Sequence, residues 1–191
     1  MTNAVSTFTM HFTTATALVL ATASSALAAP LQFTSQKFQL LALGDGLEDW
    51  TVSNAHIGAN QNVIVIQRPT ATTSSNAFLS GTADAISNDE MKLLFALQGY
   101  DSAHPLGMVI PSMPSGNIRQ VFAQPDASAI FFLDDADQLS VSASGAEGFW
   151  ACPTNVAEIG EVFTLFYGND VKKADLPSKK CKAITMKAAA V

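Results

Sequence analysis

From Gln138 to Ser144 the chain alternates without a break, with Leu139, Val141 and Ala143 on one face and Ser140, Ser142 and Ser144 on the other. A period of two with one apolar face predicts a half-buried antiparallel strand. Short apolar or β-branched runs recur at Phe38 to Leu43, Val63 to Gln67, Leu93 to Leu97, Arg119 to Ala123, Ala129 to Leu133, Gly148 to Cys152, Val162 to Tyr167 and Lys182 to Met186. Clusters of Gly, Pro, Asn and Asp separate them, the residues that turns require. No window three helical turns long carries an apolar stripe at helical spacing. The pattern predicts an all-β, single compact antiparallel domain of about ten to twelve short strands, as a β-sandwich or a β-trefoil or other barrel. A trefoil needs a threefold repeat, yet the runs starting at Phe38, Leu93, Ala129 and Val162 are unevenly spaced.

The N-terminal pattern differs. Met1 to Ala28 contains no Lys, Arg, Asp or Glu, and its apolar centre, Ala15 to Ala21, is shorter than the ~20 residues a membrane-spanning helix needs. Ala26-Leu27-Ala28 supplies a small-x-small cleavage pattern. Residues 1–28 are therefore expected to be a signal peptide cut after Ala28, which leaves residues 29–191 as one β domain with a lysine-rich C-terminal segment. Secretion changes how the cysteines are read. Cys152 and Cys181 are the only two, and an even count without metal-ligand spacing argues for a disulfide over two free buried thiols. No second apolar span or hydrophobic C-terminal tail follows, so no membrane association is expected after processing.

Two turns invite a chemical reading. The stretch Gly44 to Trp50, GDGLEDW, holds a fragment of a dinucleotide fingerprint but leads into a tryptophan rather than a helix, so it is read as a turn. Asp134, Asp135 and Asp137 fall between two predicted strands, where Asp side chains bond their own backbone. The glycine and terminal glutamate of an EF-hand loop are missing, and no metal site is predicted. In Gly148 to Cys152, alternation puts Trp150 and Cys152 on one face and Phe149 and Ala151 on the other. Trp150 is expected to pack against the disulfide, the alternative being an outward ring that stacks on a ligand. Trp50, after an acidic turn, is the second candidate for ligand stacking, with a core position as its alternative; Tyr100 is a further aromatic of this kind.

Net charge is −6, unevenly placed. From Ala29 to Val171 four basic residues face fifteen acidic ones, whereas Lys172 to Val191 holds six lysines and one acid, Asp175. This asymmetry predicts either a basic segment lying on an acidic body or one that meets an acidic partner, beside the plainer reading of a solvated loop. An acidic body disfavours nucleic-acid binding.

Catalytic sets are incomplete. Only His56 and His104 remain after cleavage, and no Gly-x-Ser-x-Gly elbow or His-Glu-x-x-His helix occurs. Paired glycosidase carboxylates could be nominated from Glu48, Asp49, Asp134, Asp135 or Glu147, but sequence does not pair them in space. No catalytic residue and no cofactor is predicted, and the expectation is a non-enzyme.

The order FFLDDADQ, LSVSAS, GAEG, FWACPTN and CKAITMKA, led by KFQLLALGDG, resembles the PhiA-type fungal cell-wall proteins. The resemblance implies a small secreted wall protein of filamentous fungi, linked to phialide and conidium development, without catalytic residues and with Cys152 and Cys181 as its disulfide. Further cysteines and N-glycosylation sequons common in that family are missing here. The expected function is thus a secreted extracellular structural protein of the cell wall, held by contacts with wall polysaccharide or other wall proteins, with hydroxyls at Thr70 to Ser75 available for O-linked glycans. The alternative is a secreted carbohydrate-binding, lectin-like or effector-type module, with a glycoside-acting enzyme behind both.

Overall fold

The computed structural model describes residues 32–34, 36–44, 46–58, 61–69, 76–82, 84–85, 90–96, 105–111, 117–125, 129–141, 147–157 and 159–191. The predicted signal peptide, the Thr70 to Ser75 run, Tyr100 and His104 lie outside them. Among the described residues fourteen strands form: β1 (Gln32–Thr34), β2 (Phe38–Leu43), β3 (Trp50–Gly58), β4 (Gln61–Gln67), β5 (Asn76–Thr82), β6 (Lys92–Phe95) and β7 (Leu106–Val109), then β8 (Ile118–Gln120), β9 (Phe122–Gln124), β10 (Phe131–Leu133), β11 (Gln138–Val141), β12 (Glu147–Val156), β13 (Gly160–Asn169) and β14 (Lys182–Ala190).

All pairings are antiparallel, and the sheet closes on itself. A circuit of nine strands, β2, β5, β6, β7, β9, β4, β13, β12 and β14, returns to β2. Strand β3 pairs with both β2 and β4 and links across that circuit. The fold is therefore the barrel among the predicted architectures. Closure removes the open sheet edges that would otherwise offer unpaired N–H and C=O groups to other chains. Strands β1 and β8 end the hydrogen-bonded path, and β10 pairs with β11, which joins β14.

Period-two patterning sets the inside of the barrel. Phe38, Leu40 and Ala42 of β2 point into the core with Val52, Ile64, Ile66, Leu165, Phe149, Ala151, Ile184 and Met186. Phe95, Met108, Val121 and Phe131 fill the remaining volume. On the opposite face of β4, Val63 and Val65 join Val156 in a smaller cluster with Ala55, Phe122 and Val162. Burial on both faces explains why Val63 to Ile66 is a continuous apolar run instead of an alternation. The predicted run Arg119 to Ala123 is two strands, because at Val121 the chain leaves β13 for β4: Val121 N–H donates to Leu165 O (2.9 Å) and Val121 O accepts from Ile64 N–H (3.4 Å).

Both predicted turns form. In the first, Leu47 N–H donates to Gly44 O and Trp50 N–H to Leu47 O, at 3.0 and 3.1 Å, which drops Leu47 into the core at 1% exposure. Gly44 sits at φ 126°, and a Cβ there would lie 2.9 Å from Ala183 O, so the close approach to β14 requires glycine. In the second, Asp134 Oδ1 accepts from Ala136 N–H (2.9 Å) and Gln138 N–H (2.8 Å), closing the β10–β11 hairpin.

One connection matters for function. Strands β13 and β14 lie on opposite sides of β12 and are antiparallel to it, so they are parallel to each other. Parallel neighbours need a crossover, and residues 170–181 supply it. Asn169 stands opposite Glu147, while Lys182 stands opposite Ala151, so the segment returns by four residues of β12, about 13 Å. It passes outside the barrel, since the inner side of β12 at Phe149 and Ala151 is core.

Candidate functional site

The crossover is fastened by Cys152 and Cys181, which are joined with Cα atoms 4.2 Å apart. The β12–β14 register explains the match. Phe149 faces Ile184, Trp150 faces Ala183 and Ala151 faces Lys182, so the next pair outward is Cys152 and Cys181. The predicted disulfide is thus a cross-strand bond at the start of β14, on the outer face of β12 and closed to solvent at Cys152.

The crossover then forms a strap. Asp175 N–H donates to Lys172 O (2.8 Å), while the Asp175 carboxylate accepts from Lys172 N–H (3.0 Å). Near the other end, Cys181 N–H donates to Ser178 O and Lys180 N–H to Ser178 Oγ, each at 3.1 Å. Lys172, Lys173, Lys179 and Lys180 are exposed, and none is ion-paired with a described residue. Ser178 and Lys180 line an open cleft of about 560 Å³ with Pro153, Thr154, Asn155, Gly160 and Glu161 at the tip of the β12–β13 hairpin.

Trp150 lies on the same outer face as Cys152, as alternation predicts, and is half-buried. Its neighbours across the sheet are Phe166 on β13 and Ala183 on β14, with Gln120 of β8 beyond Phe166. Thr154 and Thr164 follow on that face, their hydroxyls 2.8 Å apart. Trp50 occupies a different place. It faces inward at one end of the barrel, half-buried against the core, its ring edge-to-face with Phe163 at 6.0 Å. The Arg68 guanidinium lies 5.4 Å from its ring centre, and Lys182 Nζ lies 5.7 Å from that of Phe163. Aromatic faces attract cations, so Trp50 is already occupied on one face by its own chain.

The two tryptophans named from the sequence therefore do not share a site. Sequence reading missed Arg68, Phe163 and Phe166 because their partners are set by strand register, which no local pattern reveals. It also passed over a polar set: His56 Nδ1–H donates to Asn62 Oδ1 (2.9 Å), and Asn62 Nδ2–H donates to Asn54 Oδ1 (3.0 Å). Asn62 is buried, His56 is exposed, and Asn54 Nδ2 has no partner among the described residues. No described hydroxyl, thiol or carboxylate bonds to His56, so the set holds an imidazole without assembling a nucleophile. The nominated carboxylates Glu48, Asp49, Asp134 and Asp135 are exposed at two separate turns. Glu147 opens β12 opposite Asn169. Among the described residues, no three His, Cys, Asp or Glu side chains converge as metal ligands, and no helix is long and apolar enough to cross a membrane.

No curated protein and no solved structure matches the chain. The described barrel, from β1 to the end of β14, coincides with a match to a known family across residues 31–190, and the chain accordingly belongs to the family of the domain of unknown function DUF7907.

Proposed function

We propose that the protein is a secreted, non-catalytic structural component of the fungal cell wall, with the association with conidiation that its resemblance to PhiA-type proteins implies. The observation that carries this reading is the Cys152–Cys181 bond fastening a solvent-facing crossover. Disulfides of this kind persist in oxidising, extracellular settings and are rare in the cytosol. A closed barrel with a bonded strap suits a protein that must last outside the cell, and its exposed polar loops offer contacts to wall polymers.

The test is fractionation of the producing cells with thiol labelling under non-reducing conditions. The expected result is recovery from the wall and medium, starting near Ala29, with both cysteines unlabelled. Recovery inside the cell with Cys152 and Cys181 labelled would sink the reading.

A carbohydrate-binding role is a second reading, favoured by the outward placement of Trp150 beside Phe166. Trp50 supports it less, since its ring packs on Phe163 and Arg68. Pull-down of the mature protein on insoluble chitin and β-glucan separates the two: saturable binding lost in high salt or on reduction points to the strap face, and no retention leaves the structural role.

A further inference from the structure

We propose that the outer wall formed by β13, β12 and β14, with the lysine strap across it, binds an anionic polysaccharide, a chain of sugar rings bearing carboxylate or phosphate groups. The proposal rests on the extracellular reading and names the polymer class that the wall face takes.

Charge complementarity is the first argument. The strap presents Lys172, Lys173, Lys179 and Lys180 to solvent, none paired with a described residue, and Lys187 falls on the outward register of β14 with Ala183 and Thr185. Of the strap's two acids, Asp175 is bonded to the backbone N–H of Lys172 (3.0 Å) and Asp170 stands at the far end beside Asn169. The residues before the strap, from Ala29, hold fourteen acids against four bases. An anionic chain is therefore repelled by the body and drawn to the strap.

Geometry is the second. The disulfide and the Lys172–Asp175 and Ser178–Cys181 turns fix the strap before any ligand arrives, which lowers the ordering cost of binding. On the same outer face stand the half-buried rings of Trp150 and Phe166 with the half-buried Thr154 and Gln120, while Thr164, bonded to Thr154, is closed to solvent. Aromatic rings give a sugar ring an apolar platform, and a hydroxyl and an amide bond to its polar edge. Lysines alone would suit any polyanion; lysines on a face with aromatic rings, a hydroxyl and an amide suit a charged sugar chain.

The experiment titrates the purified mature protein with polygalacturonate, a neutral β-glucan, inorganic polyphosphate and phosphatidylserine vesicles. We expect polygalacturonate to bind most tightly and to weaken at least about tenfold as the Debye length shrinks from about 10 Å at 0.1 M to about 3 Å at 1 M salt. Replacing the four strap lysines by Gln should weaken binding about tenfold or more, and replacing them by Arg should retain it. A Trp50→Phe variant leaves Trp150 as the sole tryptophan, and its emission should shift on addition of polygalacturonate. Unchanged affinity in the Gln variant overturns the proposal. So does preferential binding of polyphosphate or vesicles, or saturation by polygalacturonate with no response at Trp150. Because these titrations use purified protein, failure here with wall retention intact would reject the polymer class and leave the wall role standing.

Discussion

Replacing Cys152 and Cys181 together by Ala opens a loop spanning 29 residues. In the chain-entropy treatment that cross-link stabilises the fold by about 3.6 kcal/mol at 25 °C. Cys152 is fully buried, so loss of its sulfur also leaves a small void, which adds up to about 1 kcal/mol. The expected destabilisation is about 4 kcal/mol, a large share of the roughly 5–15 kcal/mol available to a domain. For a domain of this size it lowers the melting temperature by roughly 8–16 °C. Urea unfolding of the two proteins, with hydrogen exchange alongside, measures it. The barrel itself should persist, because β14 still pairs with β2 over six residues, from Thr185 to Ala190, without help from the disulfide. Protection should fall first in the strap, at 170–181, and at the start of β14. A difference below about 1 kcal/mol, or equal loss of protection in β3 and β4, would refute the reasoning that the bond acts by closing this crossover.

Other parts of the structure make separate predictions. Leu47→Ala empties the position that the Gly44–Trp50 turn inserts into the core and should cost about 2–5 kcal/mol in the same unfolding assay. Asp134→Ala removes the oxygen that accepts from Ala136 and Gln138, for a loss of about 1 kcal/mol, while Asp134→Asn retains the acceptor and should stay within about half of that loss. Arg68→Ala, made in a Trp150→Phe background, uncovers the ring of Trp50; acrylamide quenching should rise, with a stability loss of about 0.5–1 kcal/mol.

Residue alternation alone was enough to place much of this barrel. Phe38 to Leu43 and Gln138 to Val141 are strands where period two or β-branched runs predict them, and the Gly44 and Asp134 turns follow from residues whose backbone preferences act locally. Strands β1, β3, β5 and β7 were not legible. Trp50 to Gly58 mixes Ser, Asn, His and Ala among its apolar positions, and its burial depends on pairing with both β2 and β4. The cysteines were legible as a pair, because their count needs no geometry. Their meaning was not: only register shows that Cys181 lands opposite Cys152 and that the bond fastens a crossover over the outside of β12.

The sequence by itself determined the class of fold, the turns, the pairing of the only two cysteines and the segregation of lysines into the last segment, since each depends on composition or on spacing within a few residues. Tertiary structure alone decided which tryptophan faces out. Trp50 and Trp150 both follow acidic or glycine-rich turns, yet one packs inward against Phe163 beneath Arg68 and the other lies on the outer wall beside Phe166. Inward and outward faces are defined by barrel closure, which joins strands more than a hundred residues apart, such as β2 and β14.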